Sequence, residues 1–189
     1  MSFDFTQHIR ALCADMVARV PEFSHIDMSR VAVGFSQARK ATPHGVFATL
    51  TPLRFTAGQS HTIRRGQRWA IPSLTDASGV EMLYILSFCL PRFLNLKFRQ
   101  KLTTTAHELW HIGPRFDGDL RRFNGRCYAH GASRETFNAE ADRLVDSYMA
   151  TDPDPSIYAF LQKDFRTLHA QHDRIVGAKF RPPKLVRLP

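Results

Sequence analysis

Apolar residues recur at helical spacing along residues 3–20, where Phe5, Ile9, Leu12, Cys13, Met16, Val17 and Val20 fall on one face before Pro21. Residues three and four apart share a face of an α-helix, so this pattern predicts an amphipathic helix whose role is packing. The pattern then shortens. Residues 31–35 (Val-Ala-Val-Gly-Phe) and 46–50 (Val-Phe-Ala-Thr-Leu) read as short strands on either side of a Thr42-Pro43-His44-Gly45 loop, and a third strand candidate lies near 61–71. A continuous apolar run at 82–90, closed by Pro91, predicts a further strand, although its periodicity alone also fits a buried helix.

Helical spacing returns beyond residue 100. Leu102, Ala106, Leu109, Trp110 and Gly113 form an apolar stripe, while Gln100, Thr104, His107 and His111 form another face. No charged residue occurs from Leu102 to Thr105 or at Ala106, which suits a helix buried on most sides, and Gly113-Pro114 supplies its stop. Residues 115–131, rich in Arg, Asp and Gly, read as loop. Ser133 can cap a helix running to about residue 150, with Phe137, Ala141, Leu144, Val145 and Tyr148 on one face. The Asp152-Pro153-Asp154-Pro155 break follows, and Ser156 opens another helical segment carrying Ile157, Phe160, Leu161, Phe165 and Leu168. Residues 177–189 hold three prolines and four basic residues with no packing pattern, so a loose tail is expected after a single domain spanning 1–176.

The helix near 100–112 carries the chemistry. It contains His107-Glu108-Leu109-Trp110-His111, an H-E-x-x-H motif. Four residues advance a helix by little more than one turn, so His107 and His111 can aim two imidazole nitrogens at one zinc ion. Glu108, about 100° around from His107, lies beside that ion, where its carboxylate can take a proton from a metal-bound water. The donor for a developing oxyanion is open among Tyr128, Arg115, Arg121 and Arg122.

A third zinc ligand has several candidates. Asp117 lies six residues after His111, a spacing used by extended H-E-x-x-H sites, but Pro114 stands where such a turn needs a glycine. Cys127 offers a thiolate, and together with His130 it would close a four-ligand site with no position left for water. Glu140 falls on the following helix. His130 stands just before Gly131 and the capped helix, where a returning chain can reach the ion.

Charge adds a second theme. The formal net charge is +9, and it is unevenly spread: residues 28–75 hold seven Lys or Arg and no Asp or Glu, and residues 174–189 hold five and again no acid. Such surfaces attract phosphate backbones, and Arg64-Arg65-Gly66-Gln67-Arg68-Trp69 adds an aromatic ring that can stack on an unpaired base. The same charges also suit a merely solvated surface. Three cysteines, odd in number and widely separated, argue against a disulfide framework and for a reducing compartment. The opening residues lack a secretory signal pattern, and the apolar run at 82–90 is far short of the roughly 20 residues a membrane helix needs. A cytoplasmic protein without a membrane partner is expected. Oligomeric state is not readable from the chain.

The run Tyr84-Ile85-Leu86-Ser87-Phe88, Pro91-Arg92-Phe93, Lys101-Leu102, His107-Glu108-Leu109-Trp110-His111-Ile112, Phe116-Asp117-Gly118-Asp119-Leu120-Arg121-Arg122-Phe123 and His130-Gly131 resembles the zinc metallopeptidases found in phages and prokaryotes. That family is similar in outline to the SprT-like and WLM minimal zincins. The resemblance covers about residues 30–150. It implies a compact α+β zincin with a small sheet, a metal-bearing helix and a second helix that returns over the ion. It also implies His107, His111 and His130 as zinc ligands, Glu108 as general base, and hydrolysis of a protein or peptide substrate. Some SprT-like proteases act on proteins attached to DNA, which agrees with the basic regions. The alternative is a nucleic-acid-associated protein in which zinc only holds the fold together.

Overall fold

The computed structural model describes residues 1–38, 45–123 and 133–189. Phe3–Asp4 forms a short strand, β1, and the Asp4 carboxylate accepts the Gln7 N–H (3.0 Å), which caps the helix α1, Phe5–Arg19. Phe5, Ile9, Leu12, Cys13 and Met16 are buried along it, so the predicted apolar face is the packed face. The elements that follow are β2 (Val31–Gln37), β3 (Ala48–Pro52), β4 (His61–Arg64), β5 (Gln67–Ala70), β6 (Tyr84–Leu90), α2 (Phe98–Trp110), α3 (Arg134–Ala150), α4 (Pro155–Tyr158), α5 (Phe165–Gln171), β7 (Ile175–Val176) and β8 (Val186–Arg187). The fold is mixed α+β.

The central sheet has the order β2-β6-β3, with β2 parallel and β3 antiparallel to β6. The strands β2 and β6 read as nearly continuous apolar runs because both of their faces are covered. Val31, Val33 and Phe35 of β2, with Tyr84, Leu86, Phe88 and Leu90 of β6, face the principal core, which α1, α2 and α3 also line. Ala32 and Ile85 face the other way and join Leu53 and Met82 in a smaller cluster against which Phe180 packs. Phe5 sits at the centre of the principal core, with its ring edge-on to Phe35, Phe88, Phe93 and Phe160 at centroid distances of 6.0 to 6.3 Å. Ser133 caps α3 by accepting the Thr136 N–H (3.0 Å), and Phe137, Ala141, Leu144, Val145 and Tyr148 are buried as their spacing predicts. Among the described residues no helix is long and apolar enough to cross a membrane.

Three expectations are corrected. The strand candidate at 61–71 is a hairpin, β4 and β5, turned at Arg65 and Gly66, whose φ angles of 52° and 72° suit the tight turn that matches strand twist. The helical segment after residue 155 is three short pieces, because the chain extends at Lys163 and Asp164 starts a new helix by accepting the Thr167 N–H (2.7 Å). Residues 177–189 are not a loose tail. Ala178 accepts the Phe35 N–H (2.9 Å), and β8 pairs with β5 to extend the hairpin into a second three-stranded sheet. No apolar periodicity marked this segment because it contributes one strand edge and one ring, Phe180, instead of a repeating face. Of the loop expected at 42–45, only Gly45 lies within the described residues.

Gly34 in β2 allows that closure. A Cβ there would lie 2.7 Å from the Ala178 carbonyl oxygen and 2.9 Å from the Phe180 ring. Gly34→Val is therefore expected to push the C-terminal segment off the sheet and to cost about 1–3 kcal/mol, the usual range for overpacking. Thermal unfolding checks this, and a melting temperature unchanged from wild type would show that residues 178–180 do not depend on the close approach.

Candidate metal centre

The helix α2 begins where the Gln100 side chain accepts the Lys97 N–H (3.1 Å) and then sinks into the core, with Lys101, Leu102, Thr105, Ala106, Glu108 and Leu109 all buried. His111 stands at its C-terminal cap with helical angles, and its N–H still reaches the His107 carbonyl (3.2 Å). That last bond keeps the two histidines in helical register. Their Nε2 atoms face each other at 3.1 Å. Two lone pairs cannot face each other at that separation, so a proton or a shared cation must lie between them. Two nitrogens bound tetrahedrally to one zinc at about 2.0–2.1 Å would stand about 3.3 Å apart, a few tenths of an ångström from the observed spacing. The pair therefore fits a zinc-sized ion.

The next helix orients the pair. Nδ1 of His107 lies 3.0 Å from Oδ1 of Asn138, and since a carboxamide oxygen only accepts, Nδ1 carries the proton and Nε2 keeps its lone pair. Phe137 stacks on His111 (centroids 4.5 Å, 25°) and meets His107 edge-on (4.6 Å), walling the two imidazoles on one side. The contacts of Asn138 and Phe137 with the histidines were not anticipated from sequence. No spacing rule ties them to the motif, and only the antiparallel packing of α3 on α2, marked further along by the Thr103 Oγ1 to Asp142 Oδ1 bond (2.6 Å), brings them there.

Glu108 is 8% exposed, and burial raises its carboxyl pKa to about 7, against the opposing effect of a hydrogen bond from the Leu50 backbone N–H. Leu50 lies in β3, the edge strand of the central sheet. Phe47 and Leu53, on either side, make their backbone bonds toward β6, so in antiparallel alternation Leu50 turns its N–H away from β6, to the open edge where Glu108 meets it. The carboxylate is thus fixed between the metal helix and a strand edge.

Two of the remaining candidates, Asp117 and Glu140, carry ion pairs of their own. Asp117 pairs with Arg115 (3.2 Å) and accepts the Asp119 N–H, while Glu140 pairs with Arg143, which also bridges to Glu22. Among the described residues no third His, Cys, Asp or Glu joins His107 and His111 in a metal-binding group. His130, Cys127 and Tyr128 lie outside the described residues. Two arginines considered as oxyanion donors are engaged structurally: Arg121 stacks over Trp110 at 3.6 Å and donates to its carbonyl, and Arg122 pairs with Asp119. Comparison of the chain with family models, with curated protein sequences and with solved structures gave no match.

Two outcomes follow from this geometry. Asn138→Ala should weaken zinc binding by about 10- to 100-fold in a competition titration against a chromophoric chelator, and His107→Ala should abolish it. An unchanged affinity in Asn138→Ala would remove the orienting role. In metal-free protein the raised Glu108 pKa means that the folded chain holds a proton which the unfolded chain releases near pH 4.5. This contribution to stability is full below pH 4.5 and is lost as pH rises through 7, a change on the order of 3 kcal/mol. Denaturant titrations in chelator at pH 5 and 8 should show the loss in wild type and not in Glu108→Gln.

Proposed function

We propose that this chain is a zinc-dependent peptidase of the zincin type. The observation that carries the reading is the convergence of the His107 and His111 Nε2 atoms at 3.1 Å, next to a buried Glu108 held at an open strand edge. His107 and His111 would hold the ion, and His130 is proposed as the third ligand. When bound, zinc supplies Lewis acidity, lowering the pKa of a bound water toward 7 and polarising a substrate carbonyl.

The chain's own groups account for proton handling and orientation. Glu108 accepts a proton from the attacking water and returns it to the leaving amine nitrogen, so the peptide bond breaks with no net proton change at the side chain. Leu50 N–H fixes the direction of that carboxylate, and the protonated Nδ1 of His107 on Asn138 fixes the imidazole. The substrate class proposed is an unfolded protein segment, whose peptide bonds can reach the ion without the rest of a fold standing in the way.

Zinc-loaded wild-type protein is expected to cleave an unfolded protein, while Glu108→Gln keeps about one zinc per chain and loses activity by roughly 100- to 10,000-fold. Full activity in the zinc-loaded Gln variant, or none in wild type, would overturn the proposal. Zinc affinities of His130→Ala, Asp117→Ala and Cys127→Ser test the third ligand. Loss confined to Asp117→Ala refutes His130, and loss with Cys127→Ser favours a structural zinc.

A further inference from the structure

The two basic stretches of the chain are far apart in sequence and adjacent in the fold. β4 and β5 form an antiparallel hairpin, and β8 adds to its outer edge with Trp69 opposite Arg187 and Ala70 opposite Val186. The Leu188 N–H extends this pairing to the Arg68 carbonyl (2.9 Å). Residues opposite each other in an antiparallel pair project from the same face. Thr62 opposes Trp69, Arg64 opposes Gln67 and Trp69 opposes Arg187, so Arg64, Trp69 and Arg187 share one face of this sheet.

Arg65 stands at the tip of the turn beside them. Together Arg64, Arg65, Gln67, Trp69 and Leu185 line an open groove of about 490 Å³. The three arginines are exposed, and the Trp69 ring is half-buried. Among the described residues none of Arg64, Arg65 and Arg187 has a carboxylate within 4 Å, whereas Arg19, Arg54, Arg99, Arg122 and Arg143 are all paired. The sheet therefore presents unneutralised guanidinium groups around one aromatic ring.

We propose that this face binds single-stranded nucleic acid, with Trp69 stacking on an unpaired base and Arg64, Arg65 and Arg187 contacting the flanking phosphates. The chemistry favours this occupant over the other polyanions. An acidic peptide would satisfy the arginines but has no π-face for the tryptophan. A duplex offers phosphates, but its bases are already stacked on one another. Only an unstacked strand supplies both groups in alternation, and base–aromatic stacking tolerates any sequence because every base has a π-face.

The probe is fluorescein-labelled (dT)20, followed by anisotropy with intact chain across a salt series. Wild type is expected to bind, with an affinity that falls as salt rises at a log–log slope near −2, from about −0.7 for each of three phosphate contacts. Trp69→Ala should weaken binding by about 5- to 150-fold, and Trp69→Phe should restore most of it. Arg64→Glu with Arg187→Glu should flatten the salt slope by about 1.4. Glu108→Gln should bind as wild type does, so loss of the peptidase reading and loss of this one are separable. Four outcomes would overturn the proposal: no binding at low salt, equal or tighter binding of a 20-base-pair duplex, equal binding of polyglutamate, or a folded Trp69→Ala variant that binds (dT)20 as wild type does.

Discussion

Burying a helix that carries ionisable side chains is costly unless each polar head finds a partner, and α2 meets that requirement from several directions at once. Lys101 is 2% exposed, and its ammonium donates to the carbonyls of Leu161 and Lys163 at 2.8 and 2.7 Å. Burial lowers its pKa to about 8. Glu108 takes the Leu50 N–H from the sheet edge, and His107 takes Asn138 from α3. Each partner belongs to a different element, so rotating α2 by even one residue would strand several buried groups together. The orientation of the metal helix is set by this set of obligations as much as by its apolar stripe.

The same logic orders the segment that follows the motif. The Arg121 N–H donates to the His111 carbonyl at 2.7 Å, and Ile112 bridges Leu120, so the chain doubles back immediately after the second histidine. Asp119, buried, accepts from Ala57 N–H, Leu120 N–H and the Arg122 guanidinium, and its own carbonyl accepts the Tyr84 hydroxyl. These charge-assisted bonds draw the carboxyl of Asp119 below its usual range despite burial, the largest effect opposing them. A stretch rich in Arg and Asp thus forms a fixed polar network beside the histidine pair.

Electrostatics divides the molecule into two regimes. Beside the histidines Glu108 is buried, and desolvation raises its carboxyl pKa, an effect on which added salt has little influence. On the β4-β5-β8 sheet the arginines are exposed and unpaired among the described residues, so their reach is limited by screening to about 10 Å at ordinary ionic strength. Salt is therefore a lever on the second surface and not on the first.

By itself the sequence determined the helix α1, the strand β2, the capped helix α3, and the placement of His107, Glu108 and His111 on or at the end of one helix that stops short of Gly113-Pro114, while the apolar run of β6 suited a strand or a buried helix equally. Each of these follows from local periodicity or from a cap within a few residues, which neighbouring atoms in the chain decide. Only the tertiary structure decided that Asn138 orients His107, that Leu50 holds Glu108 at the sheet edge, and that Arg187 joins Trp69 on a shared face. These pairings join residues about 30 to 120 positions apart, and they exist because buried or exposed polar groups take whichever partner the packing brings within 3 Å. No repeat or spacing in one dimension encodes that choice.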